Sequence, residues 1–141
     1  MFIDIKSEMD NPVVRNIIAY AAFDGSPEGV AKTVQKYLIN PNLHFHAWVE
    51  NGSILGICGF EIHSDKVEIH LIAVDENSRS RGVGSAMVTA LQEEYRKDIE
   101  AETDDDSVEF YRKRGFTTHE FIHERRGKRH TCVLKISYSF C

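Results

Sequence analysis

Apolar residues follow two rhythms along this chain, and each change of rhythm marks an element. Phe2 to Ile5 reads as a short strand, and Pro12 to Tyr20 as a helix capped by Asn11, with proline at the first helical position where its missing N–H is harmless. A second helix follows Ser26-Pro27 and runs to Ile39. Asn40-Pro41 ends it, because the residue before a proline is pushed out of helical geometry. From His44 the period shortens to two. His44 to Glu50 and Ser53 to His63 form a hairpin across Asn51-Gly52, a pair that favours a type I′ turn. Val67 to Val74 is the next strand, and strict alternation puts Glu68, His70, Ile72 and Val74 on one face and Val67, Ile69, Leu71 and Ala73 on the other.

Asp75 to Arg81 is a polar loop. Beyond it, Gly82 to about Lys97 places Val83, Met87, Leu91 and Tyr95 at every fourth position, as one side of a helix should. The remainder reads as a strand (Asp98 to Thr103), a helix (Asp105 to Arg114) and two strands (Phe116 to Glu124 and Thr131 to Ser139) joined through Arg126-Gly127-Lys128. With no repeat, low-complexity stretch or linker, the 141 residues are expected to form a single domain, residues 1–141, of mixed α and β structure.

Composition narrows the class. Hydrophobic residues at 42% and charged residues at 28% are those of an ordinary globular protein with a core to bury. No apolar run approaches the ~18 residues of a membrane span, and the start, Met-Phe-Ile-Asp-Ile-Lys, lacks the basic head and apolar stretch of an export signal. Three cysteines without a C-x-x-C pair fit a reduced, cytoplasmic protein. The net charge, 17 minus 22 or -5, argues against a nucleic-acid binder, whose affinity rests on a basic surface. That sum hides an asymmetry: through Glu109 there are 9 basic and 20 acidic residues, net -11, and from Phe110 onward 8 against 2, net +6. Such a split can attract ligand groups of opposite sign, or it can mark two differently solvated faces.

The informative segment is Arg79-Ser80-Arg81-Gly82-Val83-Gly84-Ser85-Ala86, between a strand and an amphipathic helix. Glycines allow close backbone approach, and the free N–H groups of a first helical turn suit an anion such as a pyrophosphate. A nucleotide P-loop would need Gly-Lys-Ser/Thr, which is absent. A dinucleotide fingerprint would need glycine or alanine at Met87 and its first glycine directly after a strand. Turn-forming glycines without a ligand are the plain alternative.

The stretch resembles the GNAT superfamily of acyl-CoA-dependent N-acetyltransferases. Arg79, Gly82 and Gly84 meet its Arg/Gln-x-x-Gly-x-Gly/Ala signature, and Glu109-Phe110-Tyr111-Arg112-Lys113-Arg114-Gly115-Phe116 looks like its Phe-Tyr-x-x-x-Gly-Phe element, in the family's order and spacing. The resemblance implies a mostly antiparallel mixed sheet of about seven strands with helices on both faces, and acetyl-CoA as cosubstrate without a metal. The backbone of Arg81, Gly82, Val83, Gly84 and Ser85, with Arg79 beside it, would hold the pyrophosphate. Ile72, Ala73 and Val74 would line the pantetheine arm, with the Ile72 N–H toward the acetyl carbonyl. Glu68 stands at the offset where histone-type members carry a general base. His70 is the substitute, since an imidazole titrates near neutrality, and other members use a water chain. Tyr111 would protonate the departing thiolate. The acceptor would be a small-molecule or peptide amine, cationic to suit the acidic first part, and the resemblance leaves room for a homodimer. A non-catalytic acyl-CoA sensor is the rival from another class.

Three further clusters read as structural. His44-x-His46 offers two imidazoles on one strand face without a third metal ligand at characteristic spacing, and reads as paired surface histidines. Arg125-Arg126-x-Lys128-Arg129-His130 reads as solvated charge at a hairpin turn, and Asp104-Asp105-Asp106 as the cap of the following helix.

Overall fold

The structure, a computed structural model, describes residues 1–22 and 24–136. Its elements are β1 (Phe2–Asp4), α1 (Pro12–Ala21), α2 (Pro27–Ile39), β2 (Leu43–Glu50), β3 (Ser53–Ile62), β4 (Lys66–Val74), α3 (Val83–Tyr95), β5 (Asp98–Thr103), α4 (Val108–Arg112), β6 (Thr117–His123) and β7 (Gly127–Leu134). Local chemistry sets the helix starts as expected: the Asn11 side chain accepts from the Val13 N–H, and the Ser26 side chain accepts from the Gly29 N–H. Asn51 and Gly52 both take positive φ, 51° and 78°, as a type I′ turn requires.

The seven strands form one sheet in the order β1-β2-β3-β4-β5-β7-β6, antiparallel throughout except for the β4–β5 pair. One face packs α1 and α2 against Phe45, Ala47 and Ile57. The other packs α3 and α4 against Cys58, Phe60, Val67 and Ile99. The expected mixed sheet with helices on both faces is the architecture observed.

Four expectations change. In β4 the pairing runs Phe60↔Ile69 and then Gly59↔Leu71, so His70 is an extra, bulged residue. The bulge reverses the alternation. Val67 and Ile69 share the α3 side with Ile72 and Val74, while Leu71 and Ala73 turn to the α1–α2 side. Glu68 therefore lies on the sheet face opposite Ile72, not beside it.

Helix α4 is five residues, shorter than the expected Asp105 to Arg114. Asp104 accepts from the Ser107 N–H at 2.9 Å and Asp105 from His130 at 2.6 Å, which holds this acidic run as a turn ahead of the helix. Strand β7 is displaced toward the N-terminus. It begins at Gly127, paired with His123, and its pairing with β5 ends at Leu134 opposite Ile99. The expected strand end at Ser139 lies outside the described residues.

The histidines of β2 are not a surface pair. His44 stacks on Phe60 with centroids 5.3 Å apart, and His46 meets the same ring edge-on at 5.0 Å. His46 is only 8% exposed, and its Nδ1 has no hydrogen-bond partner among the described residues. Burial pushes its pKa below the ordinary 6.5, against a smaller opposing pull from Asp4 and Glu94. A lowered folded-state value means the unfolded chain binds the proton more readily. His46 then supports the fold above pH ~6.5 and withdraws that support as pH falls toward its depressed value. Thermal melts of wild type and His46→Leu from pH 7.5 to 5.5 are expected to show the wild type losing more of its melting temperature than the variant; parallel curves would remove His46 from the acid response.

Candidate active site

The β4–β5 ladder runs only from Lys66↔Asp98 to Ile69↔Ala101. Beyond that point β4 stays with β3 and β5 stays with β7, so the two middle strands part. A cleft of about 900 Å³ opens between them, within the range of small-molecule sites. From β4 it is lined by His70, Ile72, Ala73 and Val74, and from β5 by Glu102 and Thr103.

The start of α3 closes one end. Gly82 is its left-handed cap residue at φ 78°, with no side-chain cap, so the first-turn N–H groups are left for another partner. Gly84 serves packing. A Cβ there would come within 2.7 Å of the Phe110 ring, so the missing side chain lets α4 lie against the first turn of α3. Arg79 lines the cleft with its guanidinium 5.7 Å from the Tyr20 ring centroid. Arg81 turns instead to Glu50 at 3.7 Å, and Ser85 faces a separate hollow with Val88 and Gln92. Of the nine positions expected around a cofactor, Ile72, Ala73, Val74, Arg79, Gly82, Val83 and Gly84 line the cleft; Arg81 and Ser85 do not.

Tyr111 lines the same cleft. It is 6% exposed between the Phe110 and Phe116 rings, and burial pushes its hydroxyl well above the usual phenol range. His70 reaches the cleft too, with Nε2 3.1 Å from Glu61 Oε1. Glu68 sits behind it, 3.9 Å from His70 Nε2 and bonded at 2.9 Å to His63 Nε2.

Arg114 was missed in the sequence. Its guanidinium carbon lies 3.6 Å from the Phe110 ring centroid, and its Nη2 is 3.2 Å from where a Gly84 Cβ would stand. Its Nη1 donates to the Phe110 carbonyl, while its Nε is buried without a partner among the described residues, and burial works against its charge. An anion at the start of α3 would relieve both. The only signal was its place just before Gly115, where it read as an unspecified position. The lining gathers charge of both signs: Glu102 pairs with Arg129 at 3.0 Å, and Asp104, Asp106 and Lys36 border the same space.

A sheet opened between two parallel strands, with a glycine-led helix at the opening, defines an acyl-CoA N-acyltransferase architecture. The sequence pattern of the Acetyltransferase (GNAT) family matches residues 13–116, and the chain belongs to that family. Among solved structures it resembles a GNAT-family protein from Desulfovibrio desulfuricans, with TM-score 0.77 and 18% identity over 97% of this chain and 99% of that one. An aminoglycoside 6′-N-acetyltransferase complexed with coenzyme A gives 0.72 and 17% over 97% of each chain. The ribosomal-protein-S18-alanine N-acetyltransferase from Escherichia coli gives 0.70 and 19% over 97% of this chain and 94% of that one. At such identities these three likenesses concern the fold alone.

The Gly84–Phe110 contact makes a direct prediction. Gly84→Ala is expected to lower stability by roughly 1–3 kcal/mol through overpacking. Combining it with Phe110→Ala should cost less than the sum of the two single changes, as measured by urea denaturation. Strict additivity would mean the ring does not occupy the space that Gly84 leaves.

Proposed function

We propose that this protein transfers an acetyl group from acetyl-CoA to a cationic amine by direct attack in a ternary complex. One observation carries the reading: β4 and β5 part after Ile69 and Ala101, and the uncapped first turn of α3 stands at the gap. Acetyl-CoA would supply an activated thioester. The N–H groups of that first turn, with Arg79 and Arg114, suit its pyrophosphate, because several donors and two cations converge there. Beyond Ile69 the β4 edge is free of β5 and can pair with the amides of an extended arm as a strand would.

The amine nitrogen bonds to the acetyl carbon, the carbon–sulfur bond breaks, and the amine proton must leave. At pH 7.4 only about one primary amine in a thousand is neutral, so an acceptor at the cleft matters. His70 stands in the cleft, and Glu68 stands behind it at 3.9 Å. We assign proton acceptance to these two side chains, His70 directly from the cleft and Glu68 through water, since no hydrogen bond joins them: His70 Nε2 bonds Glu61 at 3.1 Å and Glu68 bonds His63 at 2.9 Å. Tyr111 then protonates the thiolate. Burial keeps its hydroxyl protonated, so a hydrogen is at hand for the sulfur, and because the same burial opposes a phenolate, Tyr111 must regain a proton from water as it gives one up. Asp104 and Asp106 in the lining favour a cationic acceptor, Glu102 being paired with Arg129.

Saturating acetyl-CoA, at a hundred times its dissociation constant, should stabilise the protein by about 2.7 kcal/mol. That is a rise of roughly 7 to 12 °C in melting temperature for this size. Adenosine 3′,5′-bisphosphate should give a smaller rise. No shift would remove the cofactor site, and a shift without coenzyme A release on any amine would replace the transferase with an acyl-CoA sensor.

Glu68→Gln and Tyr111→Phe should each lower kcat by roughly 100-fold or more. The Glu68→Gln loss should be greatest at the low end of the pH range, with acetyl-CoA affinity retained. Unchanged pH–rate profiles in both variants would cancel the acid–base assignment.

A further inference from the structure

The turn of the β3–β4 hairpin carries a cluster that acetyl transfer alone does not explain. Glu61 and Glu68 are direct cross-strand partners, two like charges set opposite one another, an arrangement that ordinarily weakens a sheet. An imidazole stands against each. His63 Nε2 lies 2.9 Å from Glu68 Oε1 and 4.0 Å from Glu61 Oε1; His70 Nε2 lies 3.1 Å from Glu61 Oε1 and 3.9 Å from Glu68 Oε1. Ligand atoms of Glu61, His63 and Glu68 all fall within 4.8 Å of one another.

We propose that Glu61, His63, Glu68 and His70 form a binding site for a zinc ion. A tetrahedral zinc with bonds of 2.0–2.2 Å has ligand–ligand edges of about 3.3–3.5 Å. The four imidazole–carboxylate separations straddle that value, and Glu61, His63 and Glu68 already form one group; the His70 ring stands outside it, so a rotation of that side chain toward His63 is what completes the polyhedron. Two neutral imidazoles and two carboxylates carry a charge of -2, which a divalent ion cancels. The donor set also discriminates: Mg²⁺ and Ca²⁺ prefer all-oxygen shells of six or more ligands, and Cu(I) prefers sulfur. The four side chains are between 25 and 37% exposed, which leaves the ion a way in. Two of the four donors come from rigid positions, since Glu61 and Glu68 are paired across the ladder, and the third, His70, stands at the bulge beside them. The fourth, His63, follows the end of β3, and its carbonyl accepts from Lys97 Nζ at 2.8 Å.

Zinc at this place would take both His70 and Glu68 out of proton transfer. The site therefore predicts inhibition of turnover, a consequence that rests on the transferase reading, whereas the binding itself does not.

Equilibrium dialysis of the metal-stripped full chain against Zn²⁺ near neutral pH is expected to give one ion per chain. His63→Ala and Glu61→Gln should each weaken it by about tenfold or more, while His119→Ala, on β6, leaves it unchanged. Co²⁺ in place of Zn²⁺ should show the intense visible absorption of tetrahedral coordination, and this absorption should vanish in His63→Ala. Absence of stoichiometric zinc would overturn the site, as would binding that survives His63→Ala combined with Glu61→Gln. Stoichiometric zinc with undiminished acetyl transfer would keep the site and instead overturn the assignment of His70 and Glu68 as proton acceptors.

Discussion

Everything functional in this molecule depends on two parallel strands that stay together for four residue pairs and then separate. Strand β4 is bound along its length to β3, and β5 to β7, so each keeps a partner on its outer edge where their common edge opens. The backbone groups facing the gap are thereby free of the sheet without either strand coming loose. Buried polar backbone is costly when unpaired, so an opening of this kind is stable only where water or a ligand can enter. The cleft is thus a gap in the hydrogen-bond ladder rather than a hole in the core.

The helices make the gap chemically specific. Helix α3 begins at the opening with a left-handed glycine and no side-chain cap, leaving its first-turn donors exposed to whatever occupies the cleft. Its second glycine admits the Phe110 ring, which ties α4 to α3 and carries Tyr111 and Arg114 to the cleft wall. The two glycines of one short motif therefore do different work. One shapes the backbone at the mouth of the cleft, and the other allows two helices to touch.

The bulge at His70 is the third constraint. It lets Val67 and Ile69 serve the α3 core while Leu71 and Ala73 serve the α1–α2 core, so a single strand contributes to both layers. It also swings His70 toward Glu61 and Glu68, giving a compact group of two imidazoles and two carboxylates at the edge of the cleft. The proposed proton acceptance and the proposed metal site make overlapping demands on such a group, so under both proposals one set of side chains would serve the first and be blocked by the second.

Much of this was legible in the residues themselves. Asn11-Pro12 and Ser26-Pro27 start their helices by local hydrogen bonding, and Asn51-Gly52 makes its turn by local backbone preference. The fourfold spacing of Val83, Met87 and Leu91 marks the buried side of α3. Such features depend on neighbours a few positions away, so the linear order carries them, as it carried the two motifs that point to the GNAT family. The face on which Glu68 lies, the length of α4, the end of β7 and the burial of His46 depend on partners far along the chain. A bulge is defined only against the strand opposite it. The acidic run at Asp104 to Asp106 is turned locally by the Ser107 N–H on Asp104, and the contact of Asp105 with His130 ties that turn to β7. Arg114 shows its place only when the Phe110 ring and Gly84 are brought beside it. Periodicity assigns a side chain to a face under the assumption of unbroken pairing, and tertiary structure decides where that pairing breaks.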